Sequence, residues 1–393
     1  MKRQVIVSLL LTFFISTLSG QSIFITDTSY HSLNNKVKSI LRFTINNSDT
    51  IYEDSASFYY ITGGLWQTGS YKNGEMDGKW VTLYNNGSIK RKSYFIDGKK
   101  DGEVINYYEN GFLKTVLNYD DDTLVGPATL YFDNGMVKET RHYKNNKLNG
   151  LTTGYNIFGD TSYSINFVDS IQNGLYKKYY FSGKIKEKGE IIDQQFYGTY
   201  SSYYENGNIE KEYSYKTYTI DGPYLVYFDN GNLMIKANYV DGKIVDLWQQ
   251  YHINGSIYES GNYRNTVREG IWRSYFNDST SYMIGSYNNG LAEGSWKVYH
   301  ANGNLKQEGD FKFGISNGNW DFYHENGKIR MKGKYIDNKQ DGHWVHYYDN
   351  GKVKLDLYYK DGLLDGILTA YNDTGTMIEQ AEYSDNKLVK KIK

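Results

Sequence analysis

The chain has 393 residues, with 42 Tyr, 40 Gly, 17 Phe and 7 Trp but only 2 Pro and no Cys. Abundant rings and scarce proline argue against disorder, and the lack of cysteine excludes disulfides, thiolate metal sites and a cysteine nucleophile. Lys and Arg total 44 against 45 Asp and Glu, a net charge of −1, so nothing electrostatic points to nucleic acid.

Residues 1–20 read as an export signal. Lys2 and Arg3 precede an apolar run from Val5 to Ile15 broken by Ser8 and Thr12, and Ser16, Ser19 and Gly20 follow. The run is about 11 residues, well short of the roughly 20 needed to span a bilayer. Cleavage near Gly20 is expected. The predicted location is the periplasm or the medium, with a peripheral outer-membrane position as the alternative and no transmembrane segment.

Residues 21–54 read as a degenerate capping repeat. Asn35, Val37 and Phe43 carry the spacing of Gly63, Leu65 and Tyr71, displaced by a four-residue insertion. A cap hides an otherwise exposed sheet edge.

From residue 55 to 388 one period of 24 residues governs the chain. Gly63, Gly87, Gly111 and Gly135 begin a series that runs to Gly375 and misses once, at Ser279. Gly78, Gly102 and Gly126 begin a second that runs to Gly366 and misses once, at Asp246. These two registers hold 25 of the 40 glycines, so the composition is a count of repeats. Rings keep the same step. Tyr71, Phe95 and Tyr119 stand eight residues after the first glycine, and Tyr107, Tyr131 and Tyr179 five after the second. Trp80, Trp248, Trp272, Trp296, Trp320 and Trp344 stand two after the second.

Each unit predicts a β-hairpin with Asn-Gly at its turn, where both residues tolerate positive φ. The return loop holds Gly, Asn or Asp, as at Gly74, Asn146 and Gly290. A small residue recurs at Gly69, Gly261, Gly285, Gly309 and Gly333, leaving room for a ring to lie across the backbone. Trp296 and Tyr299 are three apart, which demands either a bulge or rings on both faces of the sheet. The fold class is therefore all-β, a solenoid-like single domain of about 14 antiparallel hairpins with a basic tail at 389–393. The units around Asn156–Ile165 and Asn277–Ile284 are the weakest copies.

The motif Tyr-x-Asn-Gly-x-Leu/Ile, Gly-x-Tyr, Asp/Asn-Gly-x-Trp-x-x-Tyr resembles the MORN-repeat variant of bacterial exported proteins, and the likeness covers about residues 55–390. Its cleanest copy runs from Tyr323 to Tyr335 and on from Asp341 to Tyr348. The resemblance implies twisted stacks of hairpins that serve as interaction platforms, some with affinity for phospholipid. Proteins of this kind are often labelled antitoxins.

No catalytic constellation stands out from the repeats, and no cofactor or metal is implied. His252, His300 and His324 share one repeat slot with Phe276 and Tyr348, which reads as a place for a flat ring. His343 and His346 flank Trp344, and a metal pair there is the weaker reading. Asp120, Asp121 and Asp122 read as a solvated acidic turn in preference to a calcium loop. The expected function is a non-enzymatic exported scaffold that binds a macromolecule, foremost a protein, along an aromatic-rich β surface. An antitoxin or immunity protein, and a binder of envelope glycan or lipid, are the alternatives. The candidate binding surface is the stripe Trp248, Trp272, Trp296, Trp320 and Trp344.

Overall fold

The computed structural model describes residues 25–46 and 49–393; the export signal lies outside them. The described residues form 34 strands and no helix, with sequential neighbours paired antiparallel. Two compact units divide the chain, one ending at Gly159 and one beginning at Asp160. The division falls inside the weak repeat Asn156–Ile165. Each unit is by itself a meander of hairpins at the 24-residue period.

The two ends of each hairpin are built differently. At the return loop, fourteen pairs from Asn73–Gly74 to Asp385–Asn386 hold both residues at positive φ. Strands Leu65–Lys72 and Glu75–Leu83 close on one such pair, with Lys72 opposite Glu75. This is the type I′ turn, whose twist matches the flanking strands. The expected Asn-Gly turn is corrected in detail. Gly303 has positive φ and Asn302 does not; Gly303 N–H donates to His300 O and His300 N–H to Asn304 O. That is a type I turn closed by a left-handed glycine. The Asn side chain is free to bond elsewhere, and Asn302 Nδ2 donates to Glu325 O of the next repeat at 2.9 Å.

The second glycine series marks a bulge. Gly309 pairs with Trp320 and Phe311 with Ser316, so two strand steps on one side face four on the other. Gly318, at φ 105°, absorbs the excess. Asp246 (φ 58°) does the same work without being glycine, and Ser279 (φ 70°) fills the gap in the first series. Both interruptions of the glycine pattern leave the backbone path intact.

The first hairpin is a repeat lengthened in place. Val37–Asn46 has 10 residues and Asp49–Tyr59 has 11, where Leu65–Lys72 and Glu75–Leu83 have 8 and 9. The four-residue insertion is thus two residues in each strand. Asp54, at φ 65° opposite Tyr71, takes the place that Gly78 takes opposite Phe95.

Of the two answers to the Trp296–Tyr299 question, rings on both faces is the one that holds, and the slip in pairing does not bring the two rings to one face. Pairing slips between Val298 and Tyr299, and rings occupy both faces. Trp320 lies on Gly309, while the Tyr323 hydroxyl donates to Glu308 Oε1 at 2.8 Å on the opposite face.

Some turns carry residues poorly suited to them. Thr217 and Tyr218 sit at φ 48° and 70°, where β-branched and bulky side chains are strained. Replacing the pair, Thr217→Asn with Tyr218→Gly, relieves about 1–3 kcal/mol. The expected result is a higher unfolding midpoint in denaturant; an unchanged midpoint would show that the turn stores no strain.

Candidate binding surfaces

Four of the five stripe tryptophans are buried. Trp272 and Trp344 are 0% exposed, Trp296 and Trp320 are nearly so, and Trp248 is half-buried. The expectation that they present a surface is therefore corrected: these rings are the core. Each buried indole lies on the glycine eleven residues earlier. A Cβ on Gly261, Gly285, Gly309 or Gly333 would stand 2.1–2.2 Å from Cδ2 of Trp272, Trp296, Trp320 or Trp344. Tyrosines from the eighth-residue series close the sides edge-on, as Tyr335 does against Trp344 with centroids 5.1 Å apart. One cluster joins Trp320, Phe322, Trp344 and Leu357, flanked by Phe311, Met331 and Tyr359.

Where the slot read as a place for a flat ring holds Tyr or His, the ring also makes a hydrogen bond that the spacing did not reveal, whereas Phe276 fills the slot with the ring alone. The hydroxyls of Tyr84, Tyr108 and Tyr204 donate to Tyr107, Tyr131 and Tyr227 O at 2.8, 2.9 and 2.8 Å. His252, His300 and His324 reach the equivalent carbonyls through Nε2 at 3.1–3.2 Å. Each ring pins one repeat to the next. His343 and His346 point to opposite faces, being three apart in regular register with Tyr358 to Leu355. His343 Nε2 lies 2.7 Å from Asp356 Oδ1, and its ring stacks on Tyr358 at 4.8 Å. Asp121 and Asp122 are spent on Lys99 and Lys100, at 2.7 and 3.4 Å. Among the described residues no cluster of three or more metal-ligating side chains forms.

His346 is a half-buried titratable group on the ring face. Its Nε2 is buried without a hydrogen-bond partner, between Met331 and Leu355 on the adjacent strands. Burial pushes its pKa below the ordinary 6.5, and Arg330 and Lys354 push the same way. With the folded value below the unfolded one, no penalty applies above about 6.5. As pH falls through that value the unfolded chain takes the proton first, and stability declines until the folded value is reached. His346→Phe should therefore flatten the fall in midpoint as pH drops below about 6.5; an equal fall in both proteins would assign the loss to other groups.

With the indoles inside, other side chains meet solvent. Leu247 and Ile271, each 50% exposed, immediately precede Trp248 and Trp272 and so point away from the ring face. They occupy one position of successive repeats, about 10 Å apart, and Pro223 holds that position in the repeat before them. The Leu-Trp and Ile-Trp pairs are the sequence signal for this row. Tyr218 and Phe313, both 64% exposed, stand in return turns of the same unit. In the first unit Trp66 is exposed, at the repeat position where Lys90 and Lys114 follow, and packs edge-on to Phe58.

On the ring face of the second unit the indole plug is missing between Tyr176 and Tyr213. Tyr200 replaces tryptophan and Tyr213 replaces the small residue, their rings 5.1 Å apart. An open trough of about 190 Å³ results, lined also by Glu187, Ser202, Lys211 and, at its rim, Lys186 and Glu210. Tyr176 donates to Glu187 Oε2 at 3.3 Å, and Ser202 to Glu210 Oε2 at 3.0 Å. Burial, reinforced by Glu187, pushes Tyr176 up to about 12. Burial also raises Tyr200, with Glu187 adding to it, and Tyr213, with Tyr215 adding to it. All three are neutral hydroxyl donors at physiological pH.

The repeat geometry agrees with the comparisons. Nine segments match the MORN repeat variant: residues 76–97, 100–121, 124–145, 172–193, 196–217, 220–241, 292–313, 316–337 and 340–361, together half of the chain. The chain belongs to the MORN repeat variant family. No curated protein sequence matches this MORN chain. Among solved structures, TcdB2-TccC3 is 11% identical over 93% of this chain and 23% of its own, with a TM-score of 0.15. The Tc holotoxin pore of Photorhabdus luminescens is 12% identical over 90% and 26%, at 0.14. A eukaryotic initiation factor is 8% identical over 95% and 90%, at 0.15. The MORN chain spans about a quarter of the length of the first two, and at these scores the likenesses carry no argument about function.

Proposed function

We propose that the protein is a non-enzymatic, exported MORN-repeat scaffold that binds another protein through exposed apolar side chains of its second unit. The observation that carries this reading is the row Pro223, Leu247 and Ile271. Large aliphatic side chains held half in water at one position of consecutive repeats form a continuing apolar strip. Tyr218 adds an exposed ring of the kind that dominates protein interfaces. Membership of a repeat family supports a scaffold, because each unit adds contact area without adding chemistry. Export rests on the leader-like residues 1–20, and N-terminal sequencing of the mature protein tests it.

The binding test is the double variant Leu247→Asp with Ile271→Asp. Both side chains are half in solvent, so the unfolding midpoint should move little. Recovery of the crosslinked partner from intact cells should drop at least about tenfold, as expected for interface hot spots. Undiminished recovery would remove the row from the interface.

A further inference from the structure

We propose that the trough between Tyr176 and Tyr213 is a saccharide subsite that takes one neutral sugar ring. It lies on the ring face, opposite the apolar row, and does not depend on the protein-binding reading.

The trough exists because one stretch departs from the repeat. At Trp272, Trp296 and Trp320 an indole is sandwiched between two glycines, as Trp320 is between Gly309 and Gly333. Here Phe196 lies over Gly189 and edge-on to Tyr200, while Tyr213 stands on the other side of Tyr200, and the trough opens beside the Tyr200–Tyr213 pair, toward Glu187 and Lys211. The volume of about 190 Å³ is below the ~300–1,000 Å³ of drug-sized sites, which limits the ligand to a single ring.

The lining selects the chemistry. Tyr200 and Tyr213 offer aromatic surface to the C–H face of a pyranose. Glu187 and Glu210 offer carboxylate acceptors, while Lys186 and Lys211 offer ammonium donors. With Lys178 against Glu187, both signs of charge stand side by side along the trough. A charged ligand would meet its own sign beside its partner, and a purely apolar one would strand the carboxylates. A neutral ring dense in hydroxyls satisfies both donors and acceptors. Glu187 is held in place for this: Tyr176 donates to one oxygen at 3.3 Å, Tyr200 hydrogen-bonds the same carboxylate, and Lys178 pairs with the other oxygen at 3.7 Å, and a carboxylate with about four lone-pair sites can still accept from a ligand hydroxyl.

Isothermal titration of the full chain with neutral trisaccharides of glucose and of N-acetylglucosamine tests the assignment. At least one should bind saturably below about 10 mM, the weak end of the measurable range. Glu187→Gln should weaken it at least about tenfold, the effect of losing a charged acceptor. Tyr200→Trp with Tyr213→Gly rebuilds the indole–glycine sandwich and should abolish binding while keeping the protein folded. If that variant does not fold, Glu187→Gln and Ser202→Ala decide. The proposal is overturned if neither trisaccharide binds, if inorganic sulfate or an acidic oligosaccharide binds more tightly, or if the substituted proteins retain full affinity.

Discussion

Trp344→Ala should cost about 4 kcal/mol and unfold the repeats around it before the rest of the second unit. The indole is fully buried, with Phe322, Tyr335 and Tyr359 rings at 6.5, 5.1 and 6.3 Å. A single sheet has no second layer to fill the hole, so Phe322 and Leu357 lose their cover together. Hydrogen exchange would show the effect as lost protection from about Met331 to Leu368. Trp248→Ala, at a half-buried ring, should cost clearly less. Equal losses at the two positions would mean that burial is not what the indoles contribute.

The second large effect comes from adding one carbon. Gly333→Ala would place a methyl 2.1 Å from Trp344 Cδ2, so the ring must lift or the strands must part. Overpacking of this kind costs about 3 kcal/mol. Nothing else forbids alanine there, because Gly333 has ordinary extended backbone. The chain contains its own comparison: Ala237 stands eleven residues before Trp248, in the slot that Gly333 holds before Trp344, and Trp248 is the ring of the stripe that is not fully buried. The alanine variant should therefore show a red-shifted, more quenchable tryptophan. Pairing it with Trp344→Leu should cost less than the two changes summed. Strict additivity would place the ring and the glycine out of contact.

Much of this was legible before any coordinates. Two glycine series at one period specify hairpins, and the small residue at Gly309 announces a ring lying over it. The faces were harder to read. Period assigns Trp272 and Ile271 to columns, but with rings on both sides of the sheet it does not say which column is covered. The stripe of tryptophans accordingly looked like a surface, when the residue before each one is what solvent meets. Turn chemistry was read at the wrong end: Asn302-Gly303 resembles a type I′ pair, but the asparagine keeps negative φ and spends its amide on Glu325 O. The rings at Tyr348 and His300 were recognised as a series, yet their bonds to carbonyls one repeat on depend on a reach that spacing does not encode. The trough was hidden for the opposite reason. Tyr200 and Tyr213 keep the repeat spacing, and only the side-chain packing shows that their ring pair leaves a space beside Glu187 and Lys211.

The central claim is that buried tryptophans build this protein and the row before them binds its partner. Photocrosslinking from positions 247 and 271, with position 306 on an exposed lysine as control, tests it most directly. The account predicts one discrete adduct from 247 and 271, absent at 306 and undiminished when Trp320→Phe weakens the fold. No adduct at 247 or 271, or the same adduct from all three positions, would contradict it.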